Sequence, residues 1–200
     1  MFKVSISRIV SLVFYLIINV SSSQACALCG SNKVSLINAS THTVFTNNTV
    51  EKIEVTWKFD ETFSSQLALL YDKNKDSQFD NEKTDAIFHI LSNVEKPPFM
   101  SVIYINGTEI KAFKIEHFKA SMVENIVYFS FDIVLNYPLD SPMQLLFYFF
   151  DPTQSLAFFH TADETRFSNT TPFTLHKKTG FKVLPNTMSI VNAITYEVEP

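Results

Sequence analysis

The stretch Lys52–Asp60, KIEVTWKFD, alternates without a break: Ile53, Val55, Trp57 and Phe59 fall on one side, and Lys52, Glu54, Thr56, Lys58 and Asp60 on the other. Strand side chains point alternately to the two faces, so this pattern marks a strand with one face buried. NIVYFSFDIVL repeats it, placing Val127, Phe129, Phe131, Ile133 and Leu135 inward. Between the two, SVIYINGTEIKAF contains Asn106-Gly107, the pair that a two-residue type I′ hairpin favours because both turn positions need positive φ. MQLLFYFF and LAFF are continuous apolar runs and read as central strands covered on both faces. The tail from Thr171 reads as short strands.

One region departs from the two-residue period. Phe63, Leu67 and Leu70 recur at helical spacing, as do Ile87, Leu91 and Val94, and Pro97-Pro98 stops the second segment. The expected architecture is mainly β: a β-sandwich, immunoglobulin-like or Greek-key, carrying an EF-hand-like helix–loop–helix inserted at about 61–96.

The first 25 residues read as a signal peptide. Lys3 and Arg8 precede an apolar stretch from Ile9 to Val20, and Ser23 and Ala25 are the small residues at a cleavage site. The apolar run is shorter than the roughly 20 residues a membrane-spanning helix needs, so no transmembrane segment is expected after cleavage. Residues 26–200 then form a single domain. Of 200 residues 175 remain, and loss of Lys3 and Arg8 takes the net charge from −4 to −6. Arg166 is then the sole arginine, which argues against nucleic acid as a partner because phosphate neutralisation needs clustered basic residues. Three glycines, Gly30, Gly107 and Gly180, cannot build a Gly-rich phosphate loop.

Between the two helical segments runs YDKNKDSQFDNEK. Counted from Asp72, it matches the oxygen-bearing positions of an EF-hand loop with Asp72, Asn74, Asp76 and Asp80, and Phe79 takes the apolar position. Gln78 and Glu82 are further oxygen donors in the same stretch. Two departures weaken it. Ser77 replaces the turn glycine, at a cost of roughly 1 kcal/mol for positive φ, and Lys83 stands where the bidentate Glu belongs. The loop is thus a degenerate calcium site with weak Ca²⁺ affinity, or a helix connector built of caps and Asx-turns.

Cleavage after Ala25 makes Cys26 the first residue, followed by Cys29. At this spacing in an exported protein the pair reads first as a local disulfide. With His42 it is also a candidate soft-metal set for a transition-metal ion. Lipid anchoring through Cys26 is the less favoured reading, because Ser23 stands where a lipoprotein signal wants an apolar residue. The histidines (His42, His89, His117, His160 and His176) form no H-x-x-x-H or H-E-x-x-H pattern, and no Ser or Cys sits in a nucleophile elbow. No catalytic residue is therefore named. The phenylalanines are mostly core, though a residue such as Phe158 or Phe159 could line an exposed binding edge.

EVTWKFDETFS, the Asp-rich loop between helices, and LLFYFFDPTQSLAFF occur in an order that resembles the bacterial domain of unknown function 1007 family. The resemblance runs from about Thr43 to Glu164, with T-W-x-F-D-E-x-F-S and F-D-P-T its most specific pieces. It implies an exported, periplasmic component of an uncharacterised transport system, whose genes often neighbour nickel/cobalt-type permeases, with no established catalysis. Family members usually carry a His-Pro-His-Val-Phe motif; here the stretch is Thr41-His42-Thr43-Val44-Phe45, which keeps the Val-Phe strand start and one displaced histidine. The functional expectation is a non-catalytic accessory or binding protein for metal-ion transport or handling, its partner a metal ion or a membrane permease. The alternatives are a structural or protein-interaction domain without bound metal, and a hydrolase without a recognisable motif.

Overall fold

In the computed structural model, residues 34–72, 76, 79–92, 97–139, 142–185, 187 and 189–200 are described. Cys26, Cys29, Asn74, Ser77, Gln78, Val94 and the leader lie outside them. Two strands open the described chain, β1 (Ser35–Thr46) and β2 (Thr49–Phe59). Helices α1 (Glu61–Tyr71) and α2 (Asn81–Ser92) follow, then a single 3-10 turn (Pro98–Met100). The hairpin β3 (Ser101–Ile105) and β4 (Thr108–Glu109) comes next, then β5 (Lys114–Val123), β6 (Ile126–Pro138), β7 (Met143–Phe149) and β8 (Leu156–Phe159). The chain ends in β9 (Thr165–Asn169), β10 (Thr174–Val183) and β11 (Ile190–Glu199).

These strands form two sheets. One runs β5-β6-β2-β1-β8, with β9 also on β1; the other runs β10-β11-β7-β3-β4. Pairing is antiparallel except at β1, which takes β8 and then β9 in parallel along one edge. The inward side chains of KIEVTWKFD and NIVYFSFDIVL meet those of β7 as a β-sandwich core. Trp57 lies edge-on to Phe131 and Phe149 at 5.0 and 5.3 Å, and Phe45 to Tyr196 at 5.3 Å. Burying side chains of this size is the dominant favourable term for such a fold. The Asn-Gly hairpin also forms as expected, with φ of 50° at Asn106 and 77° at Gly107.

The two helical segments expected from spacing are present. Phe63, Leu67, Ile87 and Leu91 are buried, whereas Leu70 is exposed. Phe63 stacks on Phe59, and Phe88 reaches Phe99 and Phe118, so the helices lie against one sheet and the 3-10 turn. Phe99 and Met100 both have positive φ after the proline pair. Burial of the Phe99 ring against Phe131 offsets that strain.

Three expectations about strands change. LAFF is not central: β8 is a four-residue edge strand in which Phe158 is buried and Phe159 exposed. Val44-Phe45 lies near the end of β1 rather than at a strand start, because the chain enters at Ser35. The tail forms two ten-residue strands instead of short ones. MQLLFYFF does behave as a central strand. Leu145, Phe147 and Phe149 face the sandwich core, and Tyr148 packs with Val102, Val191 and Ala193 in a second cluster.

Candidate functional site

The described part of the Asp-rich loop is organised around a lysine. Asp72 ends α1 and is 6 % exposed; its Oδ1 accepts the Asp76 N–H at 3.1 Å. Asp80 accepts the Lys83 N–H at 2.9 Å through Oδ1 and the Thr84 N–H through its carbonyl, capping α2. Lys83, in the first turn of α2, turns its ammonium back into the loop. Its Nζ lies 3.9 Å from Asp72 Oδ1, 3.7 Å from Asp76 Oδ1 and 3.6 Å from Asp80 Oδ2. Three sequence-predicted ligands therefore share one amine, and Glu82 is exposed on α2. Among the described residues, no three His, Cys, Asp or Glu side chains converge closely enough to hold a metal ion directly.

A second ionic group crosses four strands of the first sheet. His42 on β1 donates from Nδ1 to Glu54 Oε2 at 2.9 Å, and Lys52 bridges Glu54 Oε1 at 2.8 Å to Asp132 Oδ2 at 3.0 Å. His117 on β5 reaches Asp132 at 2.9 Å. Glu54 and Asp132 are direct cross-strand partners, an arrangement that repels unless a cation sits between them. Hydrogen bonds that Lys52 donates to Glu54 and then to Asp132 push it above the usual lysine range. The Lys52 bond holds Glu54 below the usual carboxylate range, with a smaller contribution from His42. At Asp132 burial works the other way, but bonds from His117 and Lys52 outweigh it and the carboxyl is lowered. His117 has φ of 54° where the β5–β6 register shifts, and this bulge aims its ring at Asp132.

His160 lies in the link between β8 and β9. Its backbone N–H donates to Asn192 Oδ1 at 2.7 Å, and Nδ1 donates to the Ala39 carbonyl at 3.0 Å. The ring thus supplies β1 with a donor where the partner strand changes. Burial pushes its pKa down to about 4, against the opposing bond to Ala39. It is a neutral strut between the sheets. His89 is exposed on α2, and exposed His176 pairs with Glu199 at 3.7 Å.

At one end of the sandwich a groove of about 370 Å³ opens between β8 and the β10–β11 hairpin. Val34, Leu156, Phe159, Phe181 and Ile190 line it, with Phe150 beneath. Phe181 is 72 % and Ile190 68 % exposed, and exposed Val183 pairs with Ile190 in register. Contiguous exposed apolar side chains of this kind mark interaction surfaces. The sequence pointed to Phe159 but missed Phe181, which lies on a strand with too much lysine to read as apolar, and Ile190, the first residue of the next strand.

The most specific motif residues have structural roles. Asp60 caps α1 by accepting the Phe63 N–H at 2.8 Å through Oδ1, and its Oδ2 accepts the Leu36 N–H at 2.7 Å, tying the start of β1 to α1. Ser64 is buried and accepts the Val127 N–H at 3.0 Å, fixing α1 to β6. In F-D-P-T, the Asp151 carboxylate accepts from the backbone of Thr153, Ser155 and Leu156 and from the Thr153 hydroxyl, folding the turn into β8.

No curated protein matches the chain. Among solved structures, the AChBP of Bulinus truncatus is similar with a TM-score of 0.39 and 6 % identity, covering 93 % of this chain and 97 % of that one. No helix among the described residues is long and apolar enough to cross a membrane. The family described as "Protein of unknown function (DUF1007)" matches residues 35–183, a span that includes Trp57, Asp60, Ser64, Asp151 and the whole loop; the chain belongs to that family.

Proposed function

We propose that the protein is an exported, non-catalytic accessory protein of a metal-ion transport or handling system, and that it acts by docking a membrane permease through the groove at the end of the sandwich. The carrying observation is the exposed apolar set Val34, Phe159, Phe181 and Ile190 around that groove. The state of the titratable groups supports the same reading. Glu54 and Asp132 are engaged by Lys52, the loop carboxylates face Lys83, and His160 is buried and neutral. Resemblance to a family linked to transport supplies the permease as the partner class.

The test places a photo-crosslinking residue at Phe181 in the full chain inside its own cell. The expected result is one membrane-protein adduct that disappears in an Ile190→Asp background. An adduct that survives Ile190→Asp, or none at all, would sink the docking reading.

Ion binding keeps one specific observation in its favour. Because a carboxylate can only accept, Glu54 fixes the proton of His42 on Nδ1 and leaves Nε2 to ligate, the orientation that metal-binding histidines usually have. Calorimetric titration with Zn²⁺, Ni²⁺ and Cu⁺ decides between the two. Micromolar binding abolished by His42→Ala would favour a site built from Cys26, Cys29 and His42.

A further inference from the structure

The position of the Lys83 ammonium explains what the Asp-rich loop does with its charge. In an EF-hand, a doubly charged ion at the loop centre holds the first, fifth and ninth positions together, and the twelfth contributes a bidentate carboxylate. Here Asp72, Asp76 and Asp80 are those first three positions, and Lys83 is the twelfth. Its nitrogen stands 3.6–3.9 Å from one oxygen of each. Near-equal distances to three carboxylates show the amine shared by the group rather than held in a single pair. We propose that Lys83 is the loop's own cation: the residue at the coordinating position has been exchanged for a tethered charge that fills the centre, so the two helices are joined without metal.

Three physical points support this. The Asp72 carboxylate is 6 % exposed, and a buried carboxylate needs a compensating charge or hydrogen bonds. Lys83 is itself only 17 % exposed, so solvent screens it weakly from buried Asp72, though more strongly from Asp76 and Asp80, which are 42 % and 59 % exposed. The carboxylate oxygens stand 3.6–3.9 Å from Nζ, whereas calcium takes its ligands at about 2.3–2.6 Å. Binding the ion would require the loop to contract and the ammonium to leave. A side chain of the same helix is always present at high effective concentration, whereas a free ion must reach the site and shed its water. Glu82, next in sequence, is exposed and so does not close the shell from the neighbouring position.

The test uses the mature wild-type chain with Lys83→Met, which keeps the stem and removes the charge, and Lys83→Glu, which restores the coordinating carboxylate. Thermal unfolding and amide hydrogen exchange at residues 76–84 are followed with excess chelator and with millimolar Ca²⁺. The wild type is expected to give the same midpoint and the same protection in both conditions. Lys83→Met should lose protection at least tenfold across the loop in chelator. Lys83→Glu should bind Ca²⁺ at least tenfold more tightly than the wild type and regain protection only with the ion. A wild-type protein stabilised by Ca²⁺ would overturn the proposal, as would Lys83→Met with unchanged loop protection. The wild-type comparison stands even if a variant fails to fold.

Discussion

The Lys52 ammonium sits between carboxylates that the sheet places directly opposite each other, so its removal does more than delete a pair. In Lys52→Met, Glu54 and Asp132 would face one another with only His42 and His117 as partners. The expected loss is about 1–2 kcal/mol at neutral pH, kept modest because Glu54 is 41 % exposed and water screens it. The pH dependence has a definite sign. Both carboxylates are lowered in the folded state, so their contribution is present above the ordinary carboxylate range and lost as pH falls through their lowered values. Lys52 is raised, so its contribution holds below the ordinary lysine range and fades only above it. Urea unfolding of the two proteins should therefore differ by a constant amount from about pH 5 to pH 9 and converge in acid. A gap that persists at pH 3 would mean that packing of the lysine stem carries the effect.

Asp60 joins α1 and β1, and its loss should be felt in both. Asp60→Ala is expected to cost about 1–2 kcal/mol, the value of a helix cap, and Asp60→Asn to recover only part of it, since its single amide oxygen can replace one of the two acceptors. Chemical denaturation of the two variants measures this directly; equal losses would mean that charge, and not the cap bond, is what counts. The sequence shows Asp60 as part of a motif but gives no sign that its second oxygen reaches back to residue 36. Strands whose inward positions are large, such as β2 and β6, were legible from alternation alone. β1 was not, because its inward positions include Ala39, Thr41 and Thr43, small or polar residues that blur the period. LAFF misled for the opposite reason: a continuous apolar run also arises when an edge strand lines a groove. In sequence the loop shows only departures at Ser77 and Lys83, since a string of residues does not reveal that the lysine at the twelfth position turns towards the three carboxylates.

Taken as one body, the sandwich is held across its sheets by more than aromatic packing. His160 contacts both sheets, through Ala39 on one and Asn192 on the other. With its pKa down to about 4, it resists the proton that the unfolded chain accepts near pH 6.5. Between those values the unfolded state binds more protons, so stability should fall as pH drops from about 6.5 towards 4. His160→Asn can still offer an N–H to Ala39 and does not titrate, so its stability should be flatter over that interval. Denaturant unfolding across the range tests this, and parallel wild-type and variant curves would remove His160 as the source.

The shared edge of β1 also sets an order of events. Its partners on that edge begin at Leu156 and Thr165, and the His160–Ala39 bond spans 121 positions of chain. The hairpin of β1 and β2 can form early from neighbouring sequence, but its outer rim stays without a strand until most of the polypeptide has been delivered. Long-range pairings of this kind slow folding, and an open rim invites pairing with other chains. A chain cut short before Leu156 would therefore be expected to fail by self-association, its first sheet left one side open.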